Sequence, residues 1–103
     1  MNPYVIPGLM TIEEIAADIW GIPTELLKIH TRKRKVIECR YVLLTYFRNE
    51  NPKIRWKYIA ERFNMNRVTA MKAYTTVNDL MEVNLEFKRK HDLFLERIRK
   101  VIG

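Results

Sequence analysis

The sequence predicts an all-α fold, a compact bundle of about six helices, on three observations. From Thr11 onward apolar residues recur at steps of three and four, the spacing that keeps them on one helix face. Residues that favour helix starts, Thr11, Asn66 and Asn84, stand ahead of such stretches. At 103 residues and 48% hydrophobic content the chain is one small domain with a single modest core, and no internal repeat or low-complexity segment divides it.

Residues 1–10 hold two prolines and a glycine and read as an arm without regular structure, which leaves 11–103 as the domain. Thr11-Ile-Glu-Glu14 is a capping box, a hydroxyl at the cap and a glutamate three residues on. It opens a helix whose apolar side is Ile12, Ile15, Ala16, Ile19 and Trp20, ended by Gly21. Ile22-Pro23 leads into a short helix through Leu27, and Lys28-Ile-His-Thr31 leads into the basic run Arg32-Lys-Arg-Lys35. Val36 to Phe47 carries apolar residues on most sides, as a central helix requires. Asn49-Glu-Asn-Pro52 stops it, because proline disfavours helical geometry in the residue before it.

Ile54 to Phe63 reads as a short amphipathic helix with Ile54, Tyr58 or Ile59, and Phe63 on one side. Asn64-Met-Asn66 is a turn, and Asn66 is placed to cap the next helix by accepting from the N–H of Val68 or Thr69. That helix buries Ala70, Ala73, Tyr74, Val77 and Met81, and turns out Val68, Lys72, Thr75 and Thr76 with Arg67 at its tip. A short helix, a tight turn and a longer helix with small, polar and basic residues at its outer N-terminal end is the helix-turn-helix plan for entering a major groove. Asn84 caps a last helix with the stripe Phe87, His91, Phe94, Leu95, Ile98 and Ile102.

Net charge is +7 and unevenly spread: residues 1–27 hold four acids and no Lys or Arg, residues 28–72 thirteen bases against three acids, and residues 73–103 six bases and five acids. A basic middle third favours a polyanionic partner such as nucleic acid, with an acidic membrane surface as the other candidate. Trp56 and Tyr58 are the aromatic candidates for stacking on single strands, although inside a helical domain Trp56 reads as core edge. Enzymatic chemistry is not expected: glycine stands only at positions 8, 21 and 103, so no phosphate-cradling loop can form. His30, His91 and the single Cys39 make neither a metal set nor a nucleophile pair, so no catalytic residue, metal, cofactor or small-molecule substrate is expected. One cysteine allows no internal disulfide and fits a reducing compartment. With no apolar run of bilayer length and no signal-peptide pattern, a cytoplasmic protein without a membrane partner is expected.

The turn and the helix after it resemble the C-terminal DNA-binding domain of the bacterial replication initiator DnaA, of the TrpR-like helix-turn-helix superfamily. The family's recognition helix opens with Asp-His-Thr-Thr-Val and has an alanine three residues on. With one glycine of the family's Gly-Gly turn missing, Asn66-Arg67-Val68-Thr69-Ala70 lies over that motif and Ala73 over the alanine, Thr69 and Ala73 being identical. Trp20-Gly21-Ile22 and Glu25-Leu26-Leu27 are similar to the family's opening helices, and Thr31 to Arg34 with Arg40-Tyr41-Val42 to its basic loop and following helix. The resemblance implies phosphate contacts from Arg32, Lys33, Arg34 and Lys35, and a place at the DNA for Arg40.

Duplex DNA is therefore the expected partner, in replication initiation or transcription control. Lys53, Arg55 and Lys57 precede or lie within the helix that crosses the backbone in this architecture, and Arg55 and Lys57 should meet phosphates. Arg67 and Lys72 suit guanine edges, Asn66 suits adenine, and Val68 or Thr69 a thymine methyl. The alternative keeps the fold but not the base reading, and makes the chain an adaptor for another protein.

Overall fold

A computed structural model describes residues 11–102, with the side chain of Ile102 excepted; the arm expected over residues 1–10 lies outside them. Its elements are α1 (Ile12–Trp20), a 3-10 helix (Thr24–Lys28), α2 (Arg34–Glu50), α3 (Trp56–Glu61), α4 (Arg67–Val83) and α5 (Leu85–Ile102). The all-α bundle expected from the sequence is what forms.

Helix α2 is the centre: α1, the 3-10 helix, α3 and α4 all pack on it, while α5 closes the bundle against α1 and α4. Its Val36, Cys39, Val42, Leu43, Leu44 and Phe47 are buried, and that burial holds together a helix whose start is electrostatically poor. The helix begins inside the basic run, so Lys33 is its cap, without a side-chain cap bond, and Arg34 and Lys35 occupy its first turn with no acid beside them. Cations at the positive end of a helix dipole are unfavourable. The loop expected over Arg32 to Lys35 is therefore half helix, because each buried large apolar side chain contributes about 1.5–3 kcal/mol and outweighs a terminal dipole term of about 0.3–1 kcal/mol. Edge-on aromatic pairs tie α5 to the rest, Trp20 with Phe87 at 6.3 Å and Tyr46 with Phe94 at 5.6 Å.

The caps expected from sequence form. The Thr11 hydroxyl accepts from the Glu14 N–H at 3.0 Å, Asn66 Oδ1 from the Thr69 N–H at 2.8 Å, and Asn84 Oδ1 from the Phe87 N–H at 3.0 Å. Gly21 ends α1 in the left-handed region at φ 69°.

Helix α3 is shorter than the periodicity suggests. It starts at Trp56, and Ile54 stands outside it, exposed, with its carbonyl accepting from Arg48. Ile59 and Phe63 take the buried side, and Tyr58 points outward, 58% exposed. Asn64 closes the helix at φ 56°, with the Asn64 N–H on the Glu61 carbonyl and the Met65 N–H on that of Ala60. Those two bonds make a Schellman turn, and asparagine is the residue besides glycine that tolerates the position.

Ala70, Ala73 and Val77 of α4 are buried, while Tyr74 and Met81 are half-buried. On α5, Phe87, Phe94 and Ile98 are buried, and His91 and Leu95 half-buried. Among the described residues no helix is long and apolar enough to cross a membrane.

Candidate nucleic-acid interface

The start of α4 is uncovered. Arg67, Val68, Thr69, Met71 and Lys72 are exposed, Val68 by 52% and Met71 by 46%. Two grooves meet at Arg67 and Met71. One runs along the outer face of α4 and is completed by Val68, Lys72 and Thr75. The other, about 590 Å³, lies between the start of α4 and the segment entering α3, where Arg48, Lys53, Arg55, Trp56 and Lys57 line it. Six cations, Arg48, Lys53, Arg55, Lys57, Arg67 and Lys72, thus border two adjoining grooves that no carboxylate of the described residues lines.

Local bonds hold this surface in shape. The Arg48 guanidinium lies 4.9 Å from the Trp56 ring centroid and donates to the Ile54 carbonyl, fastening the 51–55 turn to α2. Trp56 meets Tyr74 of α4 edge-on at 5.3 Å, and the Tyr74 hydroxyl donates to Asn49 Oδ1 at 2.8 Å. Trp56 is accordingly half-buried core edge, its ring engaged by Arg48 and Tyr74, and is no free stacking platform. The Thr75 and Thr76 hydroxyls donate to the carbonyls of Met71 and Lys72 at 3.3 and 2.8 Å, so their protons are spent on the helix itself.

Three expected site residues stand differently from the expectation. Arg40 is not a surface cation: it is 8% exposed, and donates from Nε to the Leu27 carbonyl at 2.9 Å and from Nη2 to those of Leu26 and Ile29 at 3.4 and 2.8 Å. Burial pulls its pKa below the ordinary arginine value, against the opposing pull of Tyr41 and Cys39. Its place is explained by the 3-10 helix, whose end carbonyls need donors.

Arg34 is paired with Glu38, Nε to Oε2 at 3.0 Å, and the other Glu38 oxygen accepts from Trp20 Nε1 at 3.2 Å. Asn66 Oδ1 accepts the cap bond, so only its second lone pair is left for a further donor.

Arg32, Lys33 and Lys35 are exposed, without ion pairs among the described residues, and line neither groove. Arg48 and Met71 are groove residues that the sequence reading missed. Met71 stands four residues after Arg67, a spacing that puts both on one helix face, and that signal was present. Arg48 reaches the groove only because the chain folds back after Pro52. Among the described residues no group of three or more His, Cys, Asp or Glu is placed to hold a metal ion. No protein-family model matches the sequence, and no curated protein matches it.

Proposed function

We propose that the chain is a double-stranded DNA-binding module of the helix-turn-helix kind, similar to the C-terminal domain of DnaA, that enters the major groove with the start of α4. The observation that supports this most is the pair of carboxylate-free grooves bordered by six cations and joined at Arg67. A duplex presents a phosphate about every 1.7 Å along its axis, and a group of cations bordering an exposed helix start suits that charge. Arg67 and Lys72 donate to base edges, and Val68 and Met71 offer apolar contact to a thymine methyl. Lys53, Arg55 and Lys57 neutralise phosphates, with Arg32, Lys33 and Lys35 as outlying contacts. First-turn N–H groups of α4 add the positive end of a helix dipole.

Selection from random duplexes at a stated salt concentration tests the reading. Enrichment of a common sequence, with affinity falling steeply as salt rises, is the expected result. A second reading, the adaptor, draws on the exposed Val68 and Met71, which would serve a protein contact equally well. Random-duplex affinity no greater than that of a charge-matched control protein would favour it.

A further inference from the structure

A third concavity, of about 110 Å³, lies where the segment preceding α2 meets the start of α4. Lys28 and His30 line it from one side, Asn64, Met65 and Thr69 from the other, and Arg40 is also in its wall. Among the described residues no carboxylate lines it.

Arg40 is the group that needs explaining. Its Nε and Nη2 are bonded to carbonyls, but Nη1 has no hydrogen-bond partner among the described residues, and no carboxylate there pairs with the guanidinium. Nη1 is not among the sealed, unsatisfied atoms of the described residues, so it keeps some access to solvent. A guanidinium stays charged in a protein, and a buried charge without a counter-ion is strongly unfavourable. The side chains of Asn64 and Thr69 likewise have donors without partners among the described residues. Water takes roughly 30 Å³ per molecule in the liquid, so the cavity has room for a group the size of a few waters.

We propose that this cavity binds one tetrahedral oxyanion of the phosphate type. Arg40 Nη1 donates to it from the wall, Lys28 and His30 from the loop, and the Thr69 hydroxyl from α4. The anion supplies the missing counter-charge and bridges the loop to the helix start. Its chemistry is that of a phosphate group, carried by a nucleic-acid backbone or free in solution. Only the first source rests on the DNA reading.

The test titrates inorganic phosphate into the full chain against chloride at equal ionic strength, following the Arg40 Nε–H and Thr69 amide signals by NMR and the melting temperature. Saturable shifts at both positions and a higher Tm in phosphate are expected; an equal response to chloride overturns the proposal. Arg40 substitutions risk the 3-10 helix, so the variant of choice is Lys28→Ala at an exposed position. It should leave Tm without phosphate unchanged and weaken phosphate binding about tenfold, the size of one lost charge-assisted hydrogen bond. Undiminished phosphate affinity in that variant overturns the site.

Random duplex added with phosphate separates the sources. Competition assigns the cavity to a backbone phosphate, and simultaneous binding assigns it to the free ion. Phosphate binding without any duplex binding keeps the cavity and removes the DNA reading, whereas duplex binding without a phosphate-specific response does the reverse.

Discussion

Asn66 Oδ1 accepts the Thr69 N–H at 2.8 Å, so the residue ahead of α4 uses its acceptor on the helix it introduces. An aspartate carboxylate there has oxygen to spare for a second donor; an asparagine has one oxygen and two N–H donors. Under the proposed DNA reading, base contacts at this end of α4 would fall to Arg67 and Lys72, which line the outer groove.

Replacing Asn66 with Ala should destabilise the domain by about 1 kcal/mol, the usual worth of an N-cap, whereas Asn66→Asp should cost nothing or stabilise slightly through the dipole. Urea unfolding followed by circular dichroism measures both. Equal stability of the Ala and Asp variants would show that the cap contributes nothing.

Trp56 joins the 51–55 turn to α2 and α4 through Arg48 and Tyr74. Removing a buried Trp side chain costs about 3–5 kcal/mol, so a half-buried one should cost roughly 2 kcal/mol in Trp56→Ala. The same variant should lose duplex affinity beyond its stability loss, because Lys53, Arg55 and Lys57 are carried on the segment it anchors. A folded Trp56→Ala protein with unchanged duplex affinity would show that those cations need no fixed placement.

Cys39 is fully buried in α2, and burial pushes its thiol from an ordinary 9.0 up to about 12, against a lowering pull from Arg40. The thiolate is the reactive form, so thiol reagents at pH 8 should modify the native chain only as fast as it opens, and the urea-unfolded chain at once. Below pH 9 both states hold the proton and the thiol adds no pH dependence; above it the unfolded state ionises first, so this contribution is lost as pH rises towards 12. Comparing the pH dependence of stability in wild type and Cys39→Ala isolates it, and identical alkaline slopes would rule it out.

Three helix starts were legible because caps and periodicity are local: Thr11, Asn66 and Asn84 do what their types do anywhere ahead of an apolar stripe. Positions whose surroundings were not legible depend on what lies across the fold. Arg40 looks like any cation of a basic stretch until the 3-10 helix ends beside it with unmet carbonyls. Ile54 fits a helical stripe, but Arg48 claims its carbonyl and the chain turns only at Trp56. The basic run looked like a loop, since propensity at Arg34 and Lys35 says nothing of the core that pulls α2 through them.

The cations also divide by partner, and the division predicts separate effects on salt dependence. Lys57 lines the inner groove without an ion pair among the described residues, so Lys57→Ala should weaken every duplex alike and flatten the slope of log affinity against log salt by about 0.9. Arg34 differs, because Glu38 already holds it and is itself held by Trp20. Its transfer to a phosphate would break that pair, so Arg34→Ala should change the slope far less than Lys57→Ala. Arg67 lies at the junction of both grooves, and Arg67→Ala should relax preference at one base pair by about 1–3 kcal/mol. Fluorescence anisotropy over a salt series, on selected and random duplexes, gives all of these numbers. A slope loss for Arg34→Ala equal to that of Lys57→Ala would mean that the Glu38 pair opens on binding, and an unchanged preference in Arg67→Ala would move base reading away from the α4 tip.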